Sequence, residues 1–139
     1  MSVLMVMDGQ GGGIGRVIIK KFRDAFGEEV EILALGTNSV ATSQMMRAGA
    51  NRGATGENAI INMAPEVDMI IGPLAIIMAN SMMGEVTPGM SQAVSSSKAF
   101  KILIPLTQER VKIVGVSGEP LPHLIDQIIE IIKEGEKSV

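Results

Sequence analysis

Asp8 to Arg16 read DGQGGGIGR, and five of these nine residues are glycine. Glycine admits positive φ and lets a ligand come close to the main chain. Free amides at the start of a helix, helped by the helix dipole, attract an anion. The backbone of Gly9, Gln10, Gly11, Gly12, Gly13 and Gly15 is therefore a candidate cradle for a phosphate. Asp8 stands beside it and would repel such a ligand unless turned away, hydrogen-bonded or bridged by Mg²⁺. It could instead accept from a ribose hydroxyl, act as a base, or fix the turn by bonding loop amides. Two readings stand side by side: the loop holds a phosphate or nucleotide, or it only turns a strand into a helix.

Further polar residues fall where the same pocket would need them. Thr37 and Asn38 follow the second expected strand and should lie beside the first loop, although Asn38 or Ser39 can equally cap a helix. The stretch GATGENAI places Thr55, Glu57 and Asn58 at a helix start, open to both a site and a capping role. Asn80, Ser81 and Glu85 interrupt the apolar run LAIIMANSMMGE. A buried Asn80 would need a partner, by facing the pocket or by bridging to another subunit. No histidine pairing with zinc-ligand spacing is present, so no metal site is expected from histidine. Any Mg²⁺ would be held by oxygen from Asp8, Glu57 or Glu85. His123, the one histidine, reads as a surface or capping residue. There is no G-x-S-x-G nucleophile elbow.

The elements that must position these residues follow from periodicity. Val3 to Met7 is an unbroken apolar run, as expected of a strand covered on both faces. Ile14, Val17, Ile18, Phe22 and Phe26 recur at helical spacing, and Gly27 closes that helix. Val30 to Leu35 is a second strand, followed by a helix through Ala48 that stops at Gly49. Asn51 to Gly56 could hold a short strand, and a brief helix runs from Gly56 to about Met63, ended by Pro65. Val67 to Ile71 is a strand, and Leu74 to Met83 reads as a helix that is apolar nearly all round. Thr87-Pro88 opens another helix. Lys101 to Leu106 and Val111 to Val116 read as strands joined by Thr107 to Arg110 alone. A parallel crossover needs about a dozen residues, so this pair is expected to be an antiparallel edge hairpin. A final helix from about Pro120 to Glu134 carries Leu121, Leu124, Ile125, Ile128 and Ile132 as its buried stripe.

The expected architecture is α/β: one three-layer Rossmann-like domain over residues 1–139, with a mostly parallel sheet of about five strands and an antiparallel edge hairpin. Ligands in such sheets bind beyond the carboxyl ends of the strands, where the strand order reverses. The glycine loop falls at that end.

Composition removes several classes of function. The formal net charge is −3, with 12 basic against 15 acidic residues, so no global positive field draws nucleic acid or a membrane surface. Cysteine, tryptophan and tyrosine are absent. That rules out thiolate chemistry and tyrosine acid-base catalysis, and it fits a reducing cytoplasm. Base stacking on several aromatics is out, since only 3 phenylalanines are present. The most apolar segment, Met69 to Met83, is too short for a membrane helix and is broken by Gly72, Pro73 and Asn80. A strand pattern that starts almost at Met1 leaves no room for a signal peptide, and a cytoplasmic location is expected.

Gly9, Gly13 and Gly15, with Ile14 between the last two, give the spacing G-x-x-x-G-I-G. This resembles the cofactor loop of the short-chain dehydrogenases. The resemblance implies that Gly9, Gly13 and Gly15 approach the pyrophosphate of NAD(P). The tyrosine-lysine pair of those enzymes has no counterpart, because the chain has no tyrosine. The second strand ends Leu35-Gly36-Thr37-Asn38, without the acid that NAD binders use for the ribose. Dehydrogenase activity is therefore not expected. The ordered motifs DGQGGGIG, ALGTN, AGANRGATGENAI, IIGPLAIIMANSMMGE and KILIPL resemble the uncharacterised bacterial domain-of-unknown-function family 3842. That resemblance implies a single-domain bacterial cytoplasmic protein and brings no activity or catalytic residue with it.

Three functions remain in view. One is binding of a nucleotide or other phosphorylated small molecule at Gly9 to Gly15, with Asn38 and Thr55 to Asn58 lining the rest. Another is an Mg²⁺-dependent hydrolase or transferase using Asp8, Glu57 or Glu85. The third is an oligomeric interaction protein with a structural glycine loop, forming a homodimer through Leu74 to Met83.

Overall fold

The computed structural model describes residues 3–106 and 109–135. Five strands form one sheet: β1 (Val3–Asp8), β2 (Glu31–Gly36), β3 (Arg52–Thr55), β4 (Met69–Pro73) and β5 (Phe100–Ile104). They pair side by side in the order β3-β2-β1-β4-β5, and every pairing is parallel. Parallel neighbours need crossovers, and the helices supply them: α1 (Gly13–Phe26), α2 (Ser39–Ala48), α3 (Glu57–Met63) and α4 (Pro88–Ser96), with α5 (Leu121–Gly135) following β5. This is the Rossmann-like α/β class.

Each face of the sheet is covered, so the central strands are apolar on both sides. The two-residue side-chain period of a strand sorts them. Leu4 and Val6 of β1 pack with Ile18, Ile19 and Phe22 of α1, Met45 of α2 and Ile125, Ile128, Ile129 and Ile132 of α5. Met5 and Met7 point the other way, to Ile60 of α3, Met90 and Val94 of α4, and Ala75, Ile76 and Val86 from the connection after β4. Asp8 continues the Leu4–Val6 series and so faces the α1 layer.

The helix ends carry the expected signals. Gly27 and Gly49 close α1 and α2 at φ 63° and 126°. Thr87 caps α4, its hydroxyl accepting from the Met90 amide at 3.1 Å, with Pro88 in the first turn. Asn38 caps α2 by accepting from the Ala41 amide at 2.9 Å.

Two expectations fail. Val111 to Val116 forms no strand, and no edge hairpin exists among the described residues; β5 is a parallel strand and ends the sheet. Gly115 lies in a turn at φ 91°, which breaks the extended geometry that a ladder partner requires, and the stretch is exposed. Of the expected hairpin connection, residues 107 and 108 lie outside the described residues. Leu74 to Met83 is not an α-helix either. A single 3₁₀ turn, Leu74–Ile77, gives way to a series of turns, because Asn80, Met82 and Met83 take φ of 68°, 55° and 58°, opposite in sign to a right-handed helix. Its hydrophobicity is spent largely inside the chain: Ala75, Ile76 and Met82 are buried, Leu74, Ile77 and Met78 are half-buried, and Met83 is exposed. The motive for a dimer through this segment, an apolar helix face needing cover, is thereby removed.

β1 and β4 must approach closely where the strand order reverses. A Cβ at the buried Gly72 of β4 would press on the Met7 carbonyl oxygen of β1. Gly72→Ala is expected to lower stability by about 1–3 kcal/mol through overpacking, read as a fall in the urea midpoint with an unchanged slope.

Candidate functional site

The chain runs outward from β1 to β2 and β3, then returns to place β4 on the other side of β1. The loops after β1 and β4 therefore diverge and leave a crevice. It is a cleft of about 370 Å³, lined by the glycine loop from Asp8 to Ile14 except Gly12, by Pro73 at the end of β4 and Ala75 just after it, and by Met82, Leu106 and Glu109.

The glycines of the loop divide into two kinds. A Cβ at Gly9 would lie 2.5 Å from both the Thr37 hydroxyl and the Met82 sulfur. At Gly15 it would lie 2.5 Å from the Met45 sulfur and 3.0 Å from the Asp8 Cβ. Gly12 has φ 74° and sits 2.9 Å, measured from a built Cβ, against the Ala41 backbone of α2. Close packing and a left-handed turn explain these three. Gly11 and Gly13 have open space where a side chain would project, and neither has a left-handed φ. Both line the cleft.

Asp8 does the work of a missing helix cap. Gly12 is the N-cap of α1 and has no side chain to offer. Asp8, from the end of β1, supplies the acceptor instead: Oδ2 takes the Gly15 amide at 2.7 Å and Oδ1 takes the Gly9 amide at 2.8 Å. The Gly12 amide is bonded to the Gly9 carbonyl at 2.9 Å. Among the described residues, the Gly11 and Gly13 amides have no partner. Burial pushes the Asp8 carboxyl above its ordinary value of 3.8. Donation from the Gly15, Gly9 and Ile14 amides opposes that rise, and the nearby Glu85 charge adds to it.

Glu85 reaches this loop from the chain after β4. Its Oε1 accepts three hydrogen bonds: from the Gln10 amide at 2.8 Å, the Thr37 hydroxyl at 2.7 Å and the Asn38 side-chain amide at 2.9 Å. Asn38 also donates to the Gln10 carbonyl at 3.0 Å, so it joins both loops while capping α2. Burial by itself would raise the Glu85 pKa, but the three donors outweigh it and bring it below 4.5. The segment that delivers Glu85 is strained. Three non-glycine residues, Asn80, Met82 and Met83, have positive φ, followed by Gly84 at 91°. At the two methionines such conformations cost roughly 1–3 kcal/mol each, whereas asparagine tolerates them better and glycine adopts them freely. The segment is held by the Glu85 bonds, by the Met82 amide on Glu109 at 3.1 Å, and by the buried Ser81 hydroxyl on the Ala75 carbonyl at 2.7 Å.

The expected site residues thus fall into groups. Asp8, Gly9, Gln10, Gly11 and Gly13 line the cleft. Gly12 and Gly15 hold the loop against α2, and Thr37 and Asn38 are engaged with Glu85. Thr55 pairs with the Thr42 hydroxyl at the end of β3, Glu57 accepts from the Thr87 hydroxyl that caps α4, and Asn58 bonds Asn62 within α3; none of these lines the cleft. Asn80 is exposed, not buried, and its amide donates to the Val86 carbonyl at 2.7 Å. Among the described residues there is no group of three or more His, Asp or Glu side chains able to hold a metal, and Glu57 is engaged with the Thr87 hydroxyl. As cleft-lining residues, sequence reasoning missed Ile14, Pro73, Ala75, Met82, Leu106 and Glu109. Pro73 and Ala75 carried a signal, since they lie at and just beyond the carboxyl end of the strand beside β1; Glu109 carried none.

The chain belongs to the family described as Domain of unknown function (DUF3842), which matches residues 3–137. No curated protein matches it. Among solved structures, it is similar to one described as the crystal structure of a dodecameric FMN-dependent Ubix-like decarboxylase from Escherichia coli O157:H7. The TM-score is 0.47 and the identity 14%, over 96% of this chain and 75% of that one. That likeness is too distant to bear on chemistry or assembly here. No helix among the described residues is long and apolar enough to cross a membrane.

Asp8→Asn replaces one accepting oxygen by a donor facing a loop amide. It should cost about 1–3 kcal/mol, the penalty of an unsatisfied buried group, measured by urea unfolding at neutral pH. For Glu85 the sign is opposite to that of a raised carboxyl. A folded-state pKa below 4.5 means its stabilisation is present above that value and is lost as pH falls through the lowered one. Glu85→Gln keeps the acceptor but not the charge. It should lose on the order of 1 kcal/mol or less at pH 7, given solvent screening, and the gap to the native chain should close on acidification.

Proposed function

We propose that this protein binds a phosphate-bearing small molecule, a nucleotide or a similar compact phosphate ester, in the cleft between the loops after β1 and β4. The observation that carries the reading is the pair Gly11 and Gly13. Their amides are unpaired among the described residues, they line the cleft, and nothing around them forbids a side chain. A glycine costs backbone entropy on folding, so its use at two positions with room for more is best explained by a ligand that needs the main chain bare. The Gly13 amide is also the first of α1, where the helix dipole favours an anion. Asp8 does not oppose this as a free carboxylate would, because its oxygens are turned to the Gly9 and Gly15 amides. Ile14, Pro73, Ala75, Met82 and Leu106 offer an apolar wall for the rest of the ligand.

A bound NAD(P) fits less well, because the end of β2, Leu35-Gly36-Thr37-Asn38, offers no carboxylate of its own for a ribose.

The test is a thermal-shift and calorimetry panel of mononucleotides, dinucleotides and sugar phosphates. A true ligand at a hundred times its Kd adds about 2.7 kcal/mol of stability. Gly13→Val should leave the unliganded protein as stable as before and abolish that gain. If no member binds, or if binding survives Gly13→Val unchanged, the cleft is not the site.

A further inference from the structure

Glu85 is the chain's own anion bound to its own loops. One carboxylate oxygen collects the Gln10 amide, the Thr37 hydroxyl and the Asn38 side-chain amide, all within 2.7 to 2.9 Å. Three donors from two loops aimed at a single oxygen are what an oxyanion of a phosphate requires. The donors belong to the glycine loop and to the loop after β2, which are fixed by the sheet. The acceptor arrives on a segment with positive φ at the non-glycine residues Asn80, Met82 and Met83. Gln10 among the donors also has positive φ, 51°, but the two bulky left-handed residues, Met82 and Met83, lie on the side of the occupant. Gln10 also directly precedes Gly11, so these donors continue the unpaired amides of the cleft along one loop.

We propose that Gln10, Thr37 and Asn38 form a second phosphate subsite, which Glu85 occupies as an internal mimic and which a phosphate group of the ligand takes when the Asn80 to Glu85 segment moves away. The proposal rests on the reading of the cleft above for the class of ligand. It adds that the closed segment suppresses affinity, since a ligand must first displace a tethered carboxylate. It also gives the strain a use, because release of the segment relieves unfavourable φ angles and lowers the cost of opening.

The experiment titrates inorganic phosphate and ADP by calorimetry into the native chain and into Glu85→Ala, Glu85→Ala/Thr37→Val and Gly13→Val. Glu85→Ala vacates the three donors and should tighten at least one of the two probes tenfold or more. Adding Thr37→Val removes a donor and should cancel most of that gain. A gain with phosphate alone means the subsite reads the free ion, and a gain with ADP alone means it reads a phosphate presented by a nucleotide; either supports the subsite. Equal affinities in Glu85→Ala and the native chain overturn it. If Gly13→Val leaves binding untouched while Glu85→Ala still tightens it, the cleft reading fails and the subsite stands; the reverse pattern leaves the cleft and removes the subsite. Should Glu85→Ala fold poorly, Met83→Gly serves instead. Met83 is 96% exposed at φ 58°, so glycine relaxes the closed segment without removing a packed side chain. Affinity should then fall at least threefold, and an unchanged or tighter value counts against the proposal.

Discussion

Asp8 sets the geometry of the glycine loop. It ends β1 on the side of the sheet that α1 covers, and its two oxygens span the loop from the Gly9 amide to the Gly15 amide. A helix that begins on a glycine has no side chain with which to satisfy its first-turn donors. A carboxylate delivered from the preceding strand satisfies them instead. Burial makes its charged form costly, and the amides that face it offset that cost. Strand, loop and helix are thereby joined by one group. The loop between them is left with two bare amides pointing at no protein acceptor among the described residues.

The remaining glycines follow from that arrangement. Gly15 must be small because α2 comes in behind it with Met45, and Gly12 must turn left-handed where it meets Ala41. Gly9 lies under Thr37, Met82 and the Glu85 carboxylate. Three glycines are therefore required by packing or by a left-handed turn, and at Gly11 and Gly13 there is open space where a side chain would project. The spacing that resembles a dinucleotide loop mixes the two kinds, since Gly9 and Gly15 pack while Gly13 is open. Similar spacing does not imply a similar ligand contact at each position.

Opposite the glycine loop, the connection from β4 to α4 behaves differently from the rest of the fold. Its apolar residues are anchored in the core through Ala75, Ile76, Met82 and Val86. Its backbone, however, adopts left-handed conformations at bulky residues. Bulky left-handed residues persist where surrounding contacts over-determine them. Here those contacts are the Ser81 hydroxyl, the Met82 amide and above all the Glu85 carboxylate. The least relaxed backbone of the described chain thus sits on the rim of the cleft.

The order of strands and helices was legible in the residues because it depends on short-range patterns. Continuous apolar runs marked β1, β2 and β4, helical spacing marked α1 and α5, and Gly27, Gly49 and Thr87 marked ends. The glycine loop at the carboxyl end of β1 followed from the same reading. What sequence patterns did not reveal depends on contacts between distant residues. The apolar run after β4 looked helical because burial, rather than a helix face, demanded its hydrophobicity. Val111 to Val116 looked like a strand because alternation records side-chain type and says nothing of a left-handed turn at Gly115. Glu85 looked like a metal ligand or a base until it was found 75 residues along the chain from the Gln10 amide it binds. Local pattern marks most of the elements and several of their ends. The folded chain alone decides which carboxylate meets which amide, because those partners are brought together by the sheet and not by their spacing.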